Sequence, residues 1–178
     1  MLLVGCGTGG WPAELPGPSE TIEGASERPA GVPRDAEPAR VDRVVDGDTV
    51  RLFAGPGSGL GDRGSVRVRL LNIDAPELPR DGRPGECLAE EAAQRLGDLL
   101  ADSQVVWIAA DREDRDAYDR PLRALWTDDG VFVTEVLAAE GLAVAVLFRP
   151  NDRFHAPIVA AERHAAAAGN GLHGPACR

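Results

Sequence analysis

The sequence has no lysine: all 19 basic residues are arginine, set against 29 acidic ones, for a formal net charge of −10. Such a chain has no global positive field, and nonspecific attachment to nucleic acid needs basic surface that releases counterions. A coating or storage role on DNA is therefore excluded, and work on phosphates must rest on a local arginine cluster or a bound cation. Internal repeats are also missing, and no segment approaches the apolar length of a transmembrane helix. The three histidines offer no zinc site. His155 and His164 are nine residues apart on one predicted helix, which at about 3.6 residues per turn sets them on opposite faces.

What is present suffices for one domain plus a tail, with 178 residues and 43% hydrophobic content to build a core. Residues 1–40 are rich in Gly, Pro, Ser and Glu without apolar periodicity, and are expected to form a flexible tail. Leu3-Val4-Gly5-Cys6 is similar to the bacterial lipobox, in which a lipid is attached to the Cys, here Cys6. Only five residues precede Cys6, whereas a signal peptide needs a charged start and an apolar run of roughly 7–15 residues. Either the true start lies upstream of Met1 or the match is chance.

From Val41 to the C-terminus the pattern is that of a folded domain. Val41–Val45 and Thr49–Phe53 are expected strands joined by Asp46-Gly47-Asp48, a strong hairpin signal. Residues 54–64 hold five glycines and one proline and are expected to be a long mobile connection. Val66, Val68 and Leu70 alternate with Arg67 and Arg69 in a half-buried strand over Ser65–Ile73. Helical spacing of Leu88, Ala92, Leu96, Leu99 and Leu100 predicts a helix over Glu86–Ala101, and further helices are expected at Val133–Glu140 and His155–Ala168. Gln104–Ala109 and Leu122–Thr127 complete five strands. Strands in hairpins, without strict β-α-β alternation, suit a small barrel rather than a doubly wound sheet. The acidic run Asp111–Asp119 lacks the turn glycine and helix pair of an EF-hand and is expected to be a solvated face.

Carboxylates at strand ends can converge on a hard cation, and an arginine beside them suits a phosphate. Arg69, flanked by Val68 and Leu70 on a core strand, needs a buried partner or ligand. Four motifs occur in order: Asp46-Gly47-Asp48-Thr49-Val50, then Arg69-Leu70-Leu71-x-Ile73-Asp74-x-Pro76-Glu77, then Asp116-x-Tyr118-x-Arg120, then Gly141-Leu142-Ala143 with Pro150-Asn151. With these motifs the chain resembles the staphylococcal nuclease (thermonuclease) family from about Val41 onward. The resemblance implies an α+β fold, a five-stranded OB-type β-barrel with three helices. It also implies a calcium-dependent endonuclease that hydrolyses phosphodiesters of DNA and RNA, preferably single-stranded, as a monomer.

Residue by residue, the resemblance implies Asp48, Asp74 and the Ala75 backbone carbonyl as Ca2+ ligands, with Asp46 behind them. It implies Glu77 as general base, and Arg69 and Arg120 as the arginines that grip the phosphate. Ala75 stands where the family usually has Thr, which spares the carbonyl but removes a hydroxyl. Asp119 stands where the family commonly has Gly, and its charge is expected to compete for Arg120. Val144–Phe148 lacks the family's tyrosines, which implies either weaker base stacking or base contact through Tyr118 and Phe148. Some exported members have cysteines placed like Cys87 and Cys177, which implies a disulfide if this chain is exported and two free thiols if it stays in the cytoplasm. The expected location is extracytoplasmic, secreted or tethered to a bacterial membrane through a lipid on Cys6, or cytoplasmic if Met1 is the true start. The alternative function is a catalytically weakened barrel that binds single-stranded nucleic acid or a protein partner.

Overall fold

The computed structural model describes residues 27–54, 58–61, 64–103 and 105–177. Among these, strands β1 (Glu37–Asp46), β2 (Thr49–Ala54), β3 (Ser65–Leu70), β5 (Val105–Ala109) and β6 (Leu122–Trp126) close a barrel in the order β1-β2-β3-β6-β5. All neighbours run antiparallel except β3 and β6, which are parallel, with Arg69 opposite Leu122. A second, two-stranded sheet pairs β4 (Ile73–Asp74) with β7 (Val144–Ala145). Three α-helices complete the domain: α1 (Ala89–Leu100), α2 (Val133–Ala139) and α3 (His155–Ala168). This is the α+β barrel architecture expected from the alternation and the resemblance.

β1 is long enough to pair with both its neighbours, and two register irregularities, between Val41 and Arg43 and between Val44 and Asp46, bend it round the barrel. The interior is filled by Val50, Leu52, Val68, Leu70, Val106, Ile108 and Leu125, all fully buried, and Leu96, Leu137 and Ile158 join them from the three helices. A second apolar cluster gathers Trp107, Trp126 and Phe154, with Phe132 stacked on Trp126 at 4.8 Å between ring centroids.

Four boundaries differ from the sequence-based expectation, each for a physical reason. The fold takes in residues well before Val41: β1 opens at Glu37, Val32 and Ala36 are buried in the tryptophan cluster, and Asp35 pairs with Arg153, just ahead of α3, through bonds of 2.5 and 2.7 Å. The expected strand Ser65–Ile73 is two strands, because Leu71 and Asn72 form a turn and Asn72 takes a φ of +63°. Helix α1 starts at Ala89, since Leu88 sits in the left-handed region at φ +65°. In the glycine-rich connection, Leu60 is buried and the Gly59 N–H donates to both Glu37 oxygens, so its described part is anchored rather than mobile. The rest of that connection, Gln104 and Cys6 lie outside the described residues. No helix among the described residues is long and apolar enough to cross a membrane.

Candidate active site at the open end of the barrel

The β1–β2 hairpin turns through Gly47 and Asp48, and the turn is pressed against the rest of the protein. A Cβ on Gly47 would lie 2.7 Å from that of Ala75 and 2.8 Å from that of Ala92. Only glycine allows the turn to approach so closely, and this approach delivers Asp48 to the end of β3. There the Asp48 Oδ2 accepts the Ala75 N–H at 2.9 Å and pairs with Arg69 Nη2 at 2.9 Å, while Oδ1 accepts from Thr49 Oγ1 at 3.0 Å. The Asp46 Oδ1 accepts the Asp48 N–H at 3.2 Å, so Asp46 buttresses the turn from behind.

Arg69 is the hub. It is 6% exposed, and its guanidinium spends both terminal nitrogens on the site. Nη2 bridges Asp48 and Asp74, the latter at 2.7 Å, and Nη1 donates to the carbonyls of Ile73 at 2.8 Å and Leu70 at 3.1 Å. The buried partner required by an arginine in an apolar strand is therefore this pair of aspartates. The β4–β7 pairing fixes Asp74 opposite Val144, and the chain beyond β7 brings the Phe148 ring 5.4 Å from the Arg69 guanidinium. Burial pushes the Asp48 carboxyl up to about 6, against the opposing pull of the Arg69 charge and the Ala75 N–H.

The remaining expected residues lie around this hub. Glu77 has an exposed side chain, and its backbone N–H and C=O are both bonded to Glu86, at 3.0 Å each. Arg120 reaches the same end of the barrel because Pro121, next in the chain, accepts the Arg69 N–H at 2.9 Å. Its ion pair is with Asp116, Nε to Oδ2 at 2.6 Å, and it lies 5.5 Å from the centroid of the exposed Tyr118 ring. The expected competition from Asp119 does not occur: Asp119, at φ +64°, turns its carboxylate to Arg115 at 3.4 Å. Burial works against the Asp116 charge, but bonds from the Arg120 N–H and side chain and from the Tyr118 N–H hold its carboxyl below the usual range.

Two features were not anticipated. Asn72 and Asn151, both fully buried, clamp the loops behind the site: Asn72 Nδ2 donates to the carbonyls of Asn151 at 2.9 Å and Val146 at 3.3 Å, and Asn151 exchanges two bonds with the backbone of Glu113. Arg123, 2% exposed, pairs with Asp114 at 2.8 Å under the acidic run, part of which thus faces a buried cation rather than solvent alone. The signal for Arg123 was present, an arginine between Leu122 and Ala124 in a strand, as for Arg69. Cys87 and Cys177 are joined in a disulfide, the pairing expected for an exported chain.

Among the described residues, no three His, Cys, Asp or Glu side chains cluster into a ready-made metal cage. The candidate set is smaller: two carboxylates, Asp48 and Asp74, converging on one cationic nitrogen, with Asp46 adjacent. Its donors are all oxygen, and Asp48, a buried carboxylate, shares its one arginine with Asp74. That chemistry fits a hard divalent cation.

Residues 67–173 match the family model described as "Staphylococcal nuclease homologue". The chain is 34% identical over 125 residues to the thermonuclease of Staphylococcus intermedius, covering 70% of this chain and 69% of that one. It is 31% identical to the thermonuclease of Staphylococcus hyicus, covering 71% and 69%. It is 32% identical to the endonuclease YncB of Bacillus subtilis, covering 72% and 60%. A family-model match over more than half its length, with relatives above 30% identity over about 70% of both chains, means that the chain belongs to the staphylococcal nuclease family.

Proposed function

We propose that the protein is a calcium-dependent endonuclease that hydrolyses phosphodiester bonds in DNA and RNA, single strands preferred, and that it acts as a monomer outside the cytoplasm. The observation that carries this reading is the buried Arg69 fork held between Asp48 and Asp74 at the barrel end reached by Arg120. A binding module would not need a buried arginine and convergent carboxylates together.

In this reading Asp48, Asp74 and the Ala75 carbonyl hold the cation. When bound, calcium supplies polarisation of a phosphoryl oxygen and neutralises charge that builds there. Glu77, exposed at the end of its loop, takes the proton of the attacking water. Arg120 engages Asp116 through Nε, which leaves its terminal nitrogens to grip two phosphate oxygens in a fork that lysine lacks. Arg69, on the neighbouring strand β3 and held by Asp48 and Asp74, adds its charge beside the same group, and Tyr118 offers an exposed ring for a base. The arginine forks together with bound calcium would supply the cationic contacts to phosphate in a chain of net −10.

The test is digestion of single-stranded DNA and of RNA with added calcium or with chelator, beside Glu77→Gln and Arg69→Ala. Loss of roughly 10²–10³-fold in kcat is expected for each variant, within the usual scale for a general base and for a group that stabilises developing charge. Wild-type protein that cuts neither substrate under any metal condition would remove the enzyme reading; activity indifferent to chelator would remove only the metal. The disulfide supports an oxidising compartment. A lipid on Cys6 is the proposed tether, and intact-mass measurement of membrane-extracted protein without the added acyl mass would refute it.

A further inference from the structure

The chain leaves the site at Glu77 and returns to it at Glu86, and these two residues are bonded to each other twice. The Glu77 N–H donates to Glu86 Oε2 at 3.0 Å, and the Glu86 N–H donates to the Glu77 carbonyl at 3.0 Å. Both backbone polar groups of Glu77 therefore rest on one residue. Within the loop, Arg80 and Arg83 exchange backbone bonds of 3.2 and 2.8 Å, and the loop surrounds a cavity of about 460 Å³ lined by Glu77, Leu78, Arg80, Arg83 and Glu86 among others.

An exposed hydrogen bond of this kind is individually weak, and it fixes a loop only if its anchor is itself immobile. Glu86 has such an anchor. Its carbonyl accepts the Ala89 N–H at 3.2 Å as α1 begins, and the next residue, Cys87, is covalently tied to Cys177. Glu86, Cys87 and Cys177 also line one open cleft together with Asp74, Ala75 and Pro76, so the disulfide sits beside the segment that leads into Glu77.

We propose that Glu86 is a positioning residue that fixes the Glu77 backbone, and that the Cys87–Cys177 disulfide braces Glu86, so that this bond supports turnover as well as stability. The inference rests on the reading of Glu77 as general base. The experiment is steady-state kinetics on single-stranded DNA for wild type, Glu86→Ala, Glu86→Gln, the Cys87→Ser/Cys177→Ser double variant and Glu77→Gln, each assayed well below its unfolding midpoint. Glu86→Ala should lower kcat roughly ten- to a hundredfold, the scale of a misplacement of about 1 Å, with KM nearly unchanged. Glu86→Gln keeps an oxygen that accepts the Glu77 N–H and should recover most of the loss, and the double cysteine variant should fall in the same direction as Glu86→Ala. An unchanged kcat in Glu86→Ala, with or without a lower melting temperature, overturns the positioning role. A full kcat in the double variant beside a deficient Glu86→Ala overturns the bracing. Activity retained by Glu77→Gln removes the base assignment itself, a result separate from either.

Discussion

Arg120 takes its ion pair from Asp116, and Asp119 carries only an exposed contact with Arg115. The two neighbouring aspartates should therefore respond oppositely to substitution. Asp119→Gly relieves a left-handed backbone that costs an L-residue about 1 kcal/mol, less for Asp than for most, and should leave nuclease activity within about twofold of wild type with an equal or slightly higher melting temperature. Asp116→Ala removes a charged hydrogen bond of about 1.5 kcal/mol and should cost roughly tenfold in kcat/KM. Assay of the two variants on one oligonucleotide checks both. At this scale the sequence showed which residues are unusual but not who their partners are. Arg69 stood out as an arginine in an apolar strand, and its burial follows from that. Asn72 did not, because its partners at Val146 and Asn151 lie more than seventy positions away and no local pattern signals a clamp closed by the tertiary fold. Asp116 stands four residues before Arg120, a spacing visible in the sequence, but the nearer Asp119 is the more obvious partner until the turn is seen to direct it to Arg115.

The hairpin and the first helix bear on the site as whole elements, and the N-terminal segment bears on stability. Gly47 lets the β1–β2 turn meet Ala75 and Ala92 in close contact, so Gly47→Ala forces the turn away from α1 and from the segment after β4. Overpacking of this kind costs about 1–3 kcal/mol, and because Asp48 is the next residue, activity should fall with stability. Urea unfolding together with the nuclease assay measures both, and full activity in a destabilised variant would separate the turn from the site. The Asp35–Arg153 pair ties the N-terminal segment to the turn just before α3, and its bond from Arg153 holds the Asp35 carboxyl at about 2, below its ordinary 3.8. A carboxylate lowered on folding contributes stability that is complete above about pH 4 and is lost as pH falls toward 2. The pair is largely exposed and solvent-screened, so its contribution should stay under about 1 kcal/mol. Urea midpoints of wild type and Asp35→Asn should differ near neutrality and converge near pH 2; a constant gap across that range would mean that the side chain acts through packing. Strand alternation and the Asp-Gly turn made the barrel legible. The segment before Val41 was not, because Pro, Gly and Glu there match a flexible tail, and its order comes from Val32 and Ala36 meeting tryptophans far along the chain.

The molecule as a whole carries ten net negative charges and meets a polyanion with a few arginines gathered at one end of its barrel. Its binding to nucleic acid should therefore be local in an observable way. Each phosphate contact with a single strand contributes about −0.7 to the slope of log K against log salt concentration. Contacts from Arg69 and Arg120 alone give a slope near −1.4, shallow beside that of proteins that spread six or more contacts over a basic face. Fluorescence anisotropy of a labelled single-stranded oligonucleotide, with Glu77→Gln protein to suppress cleavage and calcium held constant, measures it directly. Arg120→Ala should weaken binding and remove about half of the slope. A wild-type slope steeper than about −4 would mean that further arginines, Arg80 and Arg83 of the Glu77–Glu86 loop foremost, also bind phosphates, and that the substrate path extends across that loop. The acidic remainder repels strands that are not engaged at the barrel end, so nonspecific retention should be weak and product release correspondingly fast.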